Sequence, residues 1–281
     1  MIPRILMVLM LLFPLLAGCQ GAGEAISGLH QPTVELDFVR LKGISVDSAS
    51  FEAIFSIRNP YSSELTVAGY DYRMTSGETT LLSGRYEAHV VVPAKGRVVL
   101  PTSFPIDLEQ VTNTLATARP GSIVPYEVEF SVIVTRPGRS LLRVPASHAG
   151  DLPLPVPPKI SLLYVLWEDV ATEDISATLY LDMVNPNDFE LHFTELDCTL
   201  AFTGEEISDV KVRRDLGFPA GGARKFTVPF SFFPVKTGIA TVRLIAESGA
   251  DYLLTGTLIG ETRFGTMVLP VSSEGRARFR K

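Results

Sequence analysis

Apolar and polar residues alternate along much of this chain. Val34, Leu36 and Phe38 alternate with Glu35 and Asp37, the period-two pattern of a strand with one buried face. Phe51, Ala53, Phe55 and Ile57 alternate with Glu52, Ser56 and Arg58, and only Ile54 breaks the pattern. Asn59-Pro60 then ends the run. Proline has no N–H to give a ladder, and asparagine accepts the turn conformations that follow. Further strands are predicted over 65–74, 86–92 and 97–100, the last two around the turn at 93–96. Asp107 is placed to cap a helix with Gln110 three residues on. Leu108, Val111, Leu115 and Ala118 then share one helical face, and Pro120-Gly121 stops it. Strands over 126–134 and 141–144 complete the unit.

The same pattern is written twice. Asn185-Pro186 follows Asn59-Pro60 by 126 positions. That offset also aligns Pro32 with Pro158, Val34 with Ile160, Leu36 with Leu162, Phe38 with Tyr164, Leu65 with Leu191 and Asp71 with Asp197. In the second copy Leu163, Val165 and Leu166 make the opening strand apolar on both faces. Leu179, Leu181 and Met183 lead to Asn185-Pro186, and residues 218–222 match the turn after Val92. The register shifts by two near Lys225. A helix is predicted over 237–247, closed by Gly249, and strands over 252–259 and 266–269. Each copy thus reads as about seven strands and one short helix, a mainly β, two-sheet sandwich. Between the copies, residues 151–158 hold four prolines and predict an extended, semi-rigid spacer.

The N-terminus changes the picture of location. Arg4 and the apolar run 5–16 precede Leu16-Ala17-Gly18-Cys19, which closely resembles a bacterial lipobox with Cys19 as the acylated residue. The run is too short to span a bilayer, which needs about 20 apolar residues. The organisation read from the chain is a signal peptide over 1–18, a small, polar, glycine-bearing tether over 19–31, a first sandwich over 32–150, a linker over 151–158, a second sandwich over 159–275 and a basic tail over 276–281. Gln20 after the cysteine resembles the outer-membrane sorting signal of enteric bacteria. The expected location is therefore the bacterial cell envelope, lipid-anchored to the outer membrane and facing the periplasm.

Formal charge is −6 over 281 residues, which argues against nucleic acid as a partner. Cations concentrate only at Arg276, Arg278, Arg280 and Lys281. There are two cysteines. With Cys19 acylated, Cys198 is left alone and shares strand parity with Leu196 and Leu200, an inward position.

No catalytic constellation emerges. His30, His89, His148 and His192 lack metal-ligand spacing, and Glu205-Glu206 and Glu168-Asp169 read as turns. No nucleophile elbow or phosphate loop is present, so neither enzyme activity, cofactor nor metal is expected. Three non-enzymatic roles remain: a structural or protective module at the membrane, a carrier of lipid or another apolar ligand, and an accessory subunit of an envelope complex. The carrier reading is motivated by the apolar runs around Phe226, Phe230, Phe232 and Phe233, and around Leu162 to Trp167.

The segments Phe55-Ser-Ile-Arg-Asn-Pro-Tyr61 and Leu181-Asp-Met-Val-Asn-Pro-Asn187 resemble the late embryogenesis abundant type 2 domain, also called the water-stress and hypersensitive-response domain. So do the later strands that end in Leu100-Pro101 and Val228-Pro229. The resemblance spans about 32–104 and 158–232. It implies an immunoglobulin- or fibronectin-like sandwich with one helix, no catalytic residues, and an association with desiccation or stress tolerance near membranes. Tandem copies on a lipoprotein are similar to bacterial members of that group. Asn59, Pro60, Asn185 and Pro186 carry over as structural positions. Tyr61 against Asn187, and Ser63 against Phe189, mark where the copies diverge and where different partners would be read.

Overall fold

The computed structural model describes residues 31–135, 141–170, 175–232 and 248–280. Copy 1 holds β1 (Thr33–Ile44), β2 (Ser48–Arg58), β3 (Leu65–Ser76), β4 (Thr79–Val92), β5 (Arg97–Asp107), α1 (Leu108–Thr114), β6 (Ile123–Thr135) and β7 (Leu142–Pro153). Copy 2 holds β8 (Lys159–Val170), β9 (Ile175–Val184), β10 (Leu191–Phe202), β11 (Glu205–Phe218), β12 (Ala223–Phe232), β13 (Gly249–Thr262) and β14 (Gly265–Arg280). In copy 1, sheet β1-β2-β5 faces sheet β4-β3-β6-β7. Copy 2 repeats this as β8-β9-β12 and β11-β10-β13-β14. Among the described residues the chain thus forms two tandem sandwiches of seven strands each, and the duplication read from the sequence holds strand by strand.

Alternation explains the cores. Phe51, Ala53, Phe55 and Ile57 are fully buried from β2, while Glu52 and Arg58 face outward. Phe55, Tyr70, Phe104 and Phe130 meet edge-on or tilted at 5.0–6.0 Å between ring centres. In copy 2 Leu162, Val165, Trp167, Phe226 and Phe230 form the core, with a register shift after Leu162 that turns Val165 inward in place of Tyr164. Phe233 and the helix expected over 237–247 lie outside the described residues.

Four expectations are corrected. Phe38 does not share a face with Val34 and Leu36. A bulge after Leu36 turns Phe38 outward into one row with Ile54 and Pro101, because an extra residue reverses side-chain parity. That row also accounts for the break at Ile54. Second, α1 ends at Thr114, not near Ala118. The Thr112 and Thr114 hydroxyls donate to carbonyls four residues back, and Leu115 turns extended and buries its side chain. Third, residues 276–280 are not a tail. They are the end of β14, where Phe279 and Arg280 pair in parallel with Val165 and Leu166. Phe279 wedges between Trp167 and Phe202, with ring centres at 5.3 and 5.4 Å, and the Arg280 guanidinium sits 3.9 Å from the Tyr164 ring centre. Fourth, the proline-rich stretch is not a bare spacer. Residues 151–153 belong to β7, and Leu152, Leu154 and Pro155 are buried.

The copies stack end to end. Each sandwich has one end carrying its Asn-Pro turn together with its β4–β5 or β11–β12 turn. In copy 2 this end meets the opposite end of copy 1, where α1 leads into β6. One parallel bridge, Ile44 with Met267, joins β1 of copy 1 to β14 of copy 2.

Candidate functional site

Asn59 is 1 % exposed and Asn185 fully buried. The Asn59 amide donates to the carbonyls of Ser63, Val92 and Pro93 at 2.8, 3.2 and 2.9 Å. Its Oδ1 accepts from the Tyr61 N–H at 2.9 Å. Asn185 donates to Phe189, Phe218 and Pro219 at 2.8, 3.2 and 3.1 Å, and accepts from the Asn187 N–H at 3.1 Å. Each of these partners is displaced by 126 positions, and Asn185 Oδ1 accepts a second bond, from the Asn187 side-chain amide at 2.9 Å, that has no counterpart at Tyr61. The backbone follows suit, with Asn59 N–H on Gly96 and Asn185 N–H on Gly222. Each asparagine therefore ties the β2–β3 or β9–β10 turn to the β4–β5 or β11–β12 turn, each of which crosses from one sheet of its sandwich to the other. Only an amide supplies two donors and an acceptor in this space; a carboxylate would face three carbonyls with no proton to give.

Outward from the latch the copies differ. The Asn187 side chain accepts from the Val156 N–H at 2.8 Å and donates to the Val156 carbonyl at 3.1 Å. It pairs with the linker as a strand neighbour would. The Asp188 N–H donates to the Gly121 carbonyl at 2.8 Å, and Arg119 forms an ion pair with Asp188. Gly121 has φ +86°, and a Cβ there would lie 3.1 Å from the Pro186 carbonyl oxygen, so the joint needs glycine at this position. Arg263 reaches Asp151 at 3.2 Å across the same joint. In copy 1 Tyr61 is half-buried, and Lys95 Nζ donates to the Pro60 carbonyl at 2.6 Å.

The duplication extends to pairs not legible as motifs. Asp71 of β3 faces Arg85 at 3.5 Å, and Asp197 of β10 faces Lys211 at 2.7 Å. Hydrogen bonding from Arg143 holds the Asp71 carboxyl below its ordinary range, against a smaller opposing effect of burial. Tyr126 stands opposite Gly150, and Tyr252 opposite Gly275. A Cβ on Gly150 would lie 2.8 Å from the Tyr126 hydroxyl, so the ring takes the space the glycine leaves. Such glycines look like strand weaknesses in the sequence, because the ring that covers each lies on a neighbouring strand.

The other residues singled out in the sequence are dispersed. Cys198 is a buried free cysteine whose thiol is pushed up to about 12, mainly by burial. His89 is exposed on β4, and His148 lies on β7 beside the Tyr126 ring with its pKa lowered by burial. His192 lies between Glu190 at 3.1 Å and Asp215 at 3.3 Å. Glu168 accepts from Thr178, and Glu205 and Glu206 open β11 on its exposed side. Among the described residues no group of three or more acidic, histidine or cysteine side chains is arranged to hold a metal ion. Cys19, Gln20 and His30 lie outside the described residues.

The late embryogenesis abundant protein family matches twice, over residues 55–150 and 180–275, and the chain belongs to it. Both matches end at corresponding points of the two sandwiches. Among curated proteins, a desiccation-related protein of Arabidopsis thaliana is 21 % identical over 132 residues, covering 47 % of this chain and 80 % of that protein. A desiccation protectant homologue of Glycine max is 21 % identical over 138 residues, covering 47 % of this chain and 87 % of that protein. Each matched stretch is thus about one copy long. A solution structure described as a putative late embryogenesis abundant protein covers 47 % of this chain and 76 % of its own, at 21 % identity and a TM-score of 0.38.

Proposed function

We propose that the protein is a non-enzymatic, desiccation- or stress-related module of the bacterial envelope, of the water-stress and hypersensitive-response type. Cys19 carries its lipid, and the two sandwiches stand in line above an outer-membrane surface, facing the periplasm. The double family match carries the stress reading, together with the names of the relatives. The anchoring rests on Leu16-Ala17-Gly18-Cys19 and on β1 beginning at Thr33, which leaves a short tether. Protection would come from surface and bulk: two sandwiches presented to neighbours as water is lost.

Two measurements test this. Cys19→Ser should move the protein from the membrane to the soluble fraction of cells, and retention in the membrane with unchanged processing sinks the anchor. Purified protein dried with a labile enzyme should preserve that enzyme's activity better than an equal mass of an unrelated β-sandwich protein. Equal protection by both would sink the stress role.

A further inference from the structure

We infer that the latch end of copy 1 lies against an anionic bilayer surface, with Arg58, Lys95 and Arg97 contacting lipid headgroups. The inference rests on the lipid-anchor reading for its biological setting, though its geometry stands alone.

The tether enters at this end. Thr33, the first residue of β1, pairs with Arg58, and Arg58 pairs with Arg97, so the last row of the β1-β2-β5 sheet is Thr33–Arg58–Arg97. Fourteen positions separate Cys19 from Thr33, a reach of at most about 50 Å. Like charges directly opposite on antiparallel strands are unfavourable. Copy 2 avoids the clash: the same row there is Lys159–Val184–Ala223. Lys95 likewise stands where copy 2 has Gly221. Copy 1 therefore carries cations at three places where copy 2 has none.

The local partners leave these cations available. Arg58 has no ion pair among the described residues. Arg97 donates to Ser56 and lies 3.9 Å from Asp37, while Lys95 donates to the Pro60 carbonyl. The acids that face them are Glu35, one row back along β1, Asp37 beyond it, and Glu64 on the turn. Glu35, Ser56, Arg58, Lys95 and Arg97 line an open groove of about 270 Å³. Around this end Val91 is 51 % and Leu141 63 % exposed, and Tyr61 is half-buried. Cations and exposed apolar side chains at one end of a domain suit a headgroup region, where both are accommodated. The same end of copy 2 presents Asn187, Asp188 and Glu190 and docks on protein instead.

The test uses the chain from residue 20 onward, which keeps every described residue and carries no acyl group. It is sedimented with phosphatidylcholine vesicles prepared with and without phosphatidylglycerol. Binding should depend on phosphatidylglycerol and fade at high salt. Each of Arg58→Gln, Lys95→Gln and Arg97→Gln should weaken it about fivefold. The pair Arg276→Gln/Arg278→Gln, at the far end of copy 2, should leave it unchanged, and denaturation curves confirm that all variants fold. Binding indifferent to phosphatidylglycerol overturns the inference, as does loss in the Arg276/Arg278 pair with retention in the first three. Because no acyl chain is present, these outcomes are independent of Cys19→Ser fractionation, which tests the anchor.

Discussion

Asn59 and Asn185 share four side-chain hydrogen bonds, yet the residues two places on, Tyr61 and Asn187, meet different surroundings, and only Asn187 adds a fifth bond to its asparagine. The interior of the turn is shared because it solves a problem internal to each sandwich. Two turns that cross between the sheets must close over the end of the core, and their buried carbonyls need donors. The exterior is free to differ because its partner lies outside the sandwich. In copy 2 that partner is the linker and the far end of copy 1. In copy 1 it is whatever lies on the tether side. Duplication thus preserved the latch and released the residues around it.

The largest effect should come from the latches. Asn59→Asp or Asn185→Asp removes both donors and buries a carboxylate among carbonyls, costing on the order of 3–5 kcal/mol. Trp167, the single tryptophan, is buried in copy 2 and reports that copy alone. Asn185→Asp should shift the denaturant midpoint of its fluorescence strongly. Asn59→Asp should shift the circular-dichroism transition and largely spare the fluorescence. An equal fluorescence shift for both would mean that the copies unfold as one unit.

Next is the position where the copies diverge. Asn187→Ala strands the Val156 N–H and carbonyl at the joint, a loss of about 2–3 kcal/mol, and should broaden the end-to-end distribution in small-angle scattering. Tyr61→Ala should cost about 1 kcal/mol of lost burial and leave the scattering profile alone. Matching profiles for the two variants would remove Asn187 from the joint.

Alkali should separate the copies by a smaller margin. Cys198 stands where copy 1 has Tyr72. Its folded thiol is raised to about 12 by burial, while an unfolded thiol ionises near about 8.5. The unfolded chain therefore loses its proton first. Stability from this group is complete below about pH 8.5 and is lost as pH rises towards 12. In copy 1 the Tyr126 phenol, also raised to about 12 by burial, starts from about 10 and so begins later. Cys198→Ala should flatten the early part of the alkaline fall in the Trp167 midpoint. An unchanged slope would assign the fall to other groups.

The smallest effect belongs to the ion pair across the joint. Arg119 and Asp188 are 63 % and 43 % exposed, so Arg119→Ala should cost less than about 1 kcal/mol. A loss as large as that of Asn187→Ala would show that charge, and not the buried amide, holds the copies in line.

Much of the fold was legible in the sequence because its causes are local. Alternation in 51–57 marks an inner face, and Asn-Pro marks where a ladder must stop. Repetition of both at one offset marks a second sandwich. The errors have local explanations too. The bulge after Leu36 changes parity without changing composition, and α1 stops where threonine hydroxyls and a buried leucine outweigh a helical spacing. The prolines of 151–158 imply stiffness, but the pairing of Leu154 with Ser122 and of Val156 with Asn187 depends on residues far along the chain.

By itself the sequence determined two mainly β units, their order, the asparagine at each turn and the place where the turns diverge. These follow from periodicity, backbone chemistry and residue identity, which neighbours along the chain decide. Only the tertiary structure decided what each turn faces. Asn187 against Val156, Gly121 against Pro186, and Arg58 beside Arg97 join residues 31, 65 and 39 positions apart. Pairing over such distances is set by how sheets close and how the sandwiches stack, and no periodicity within either partner records it.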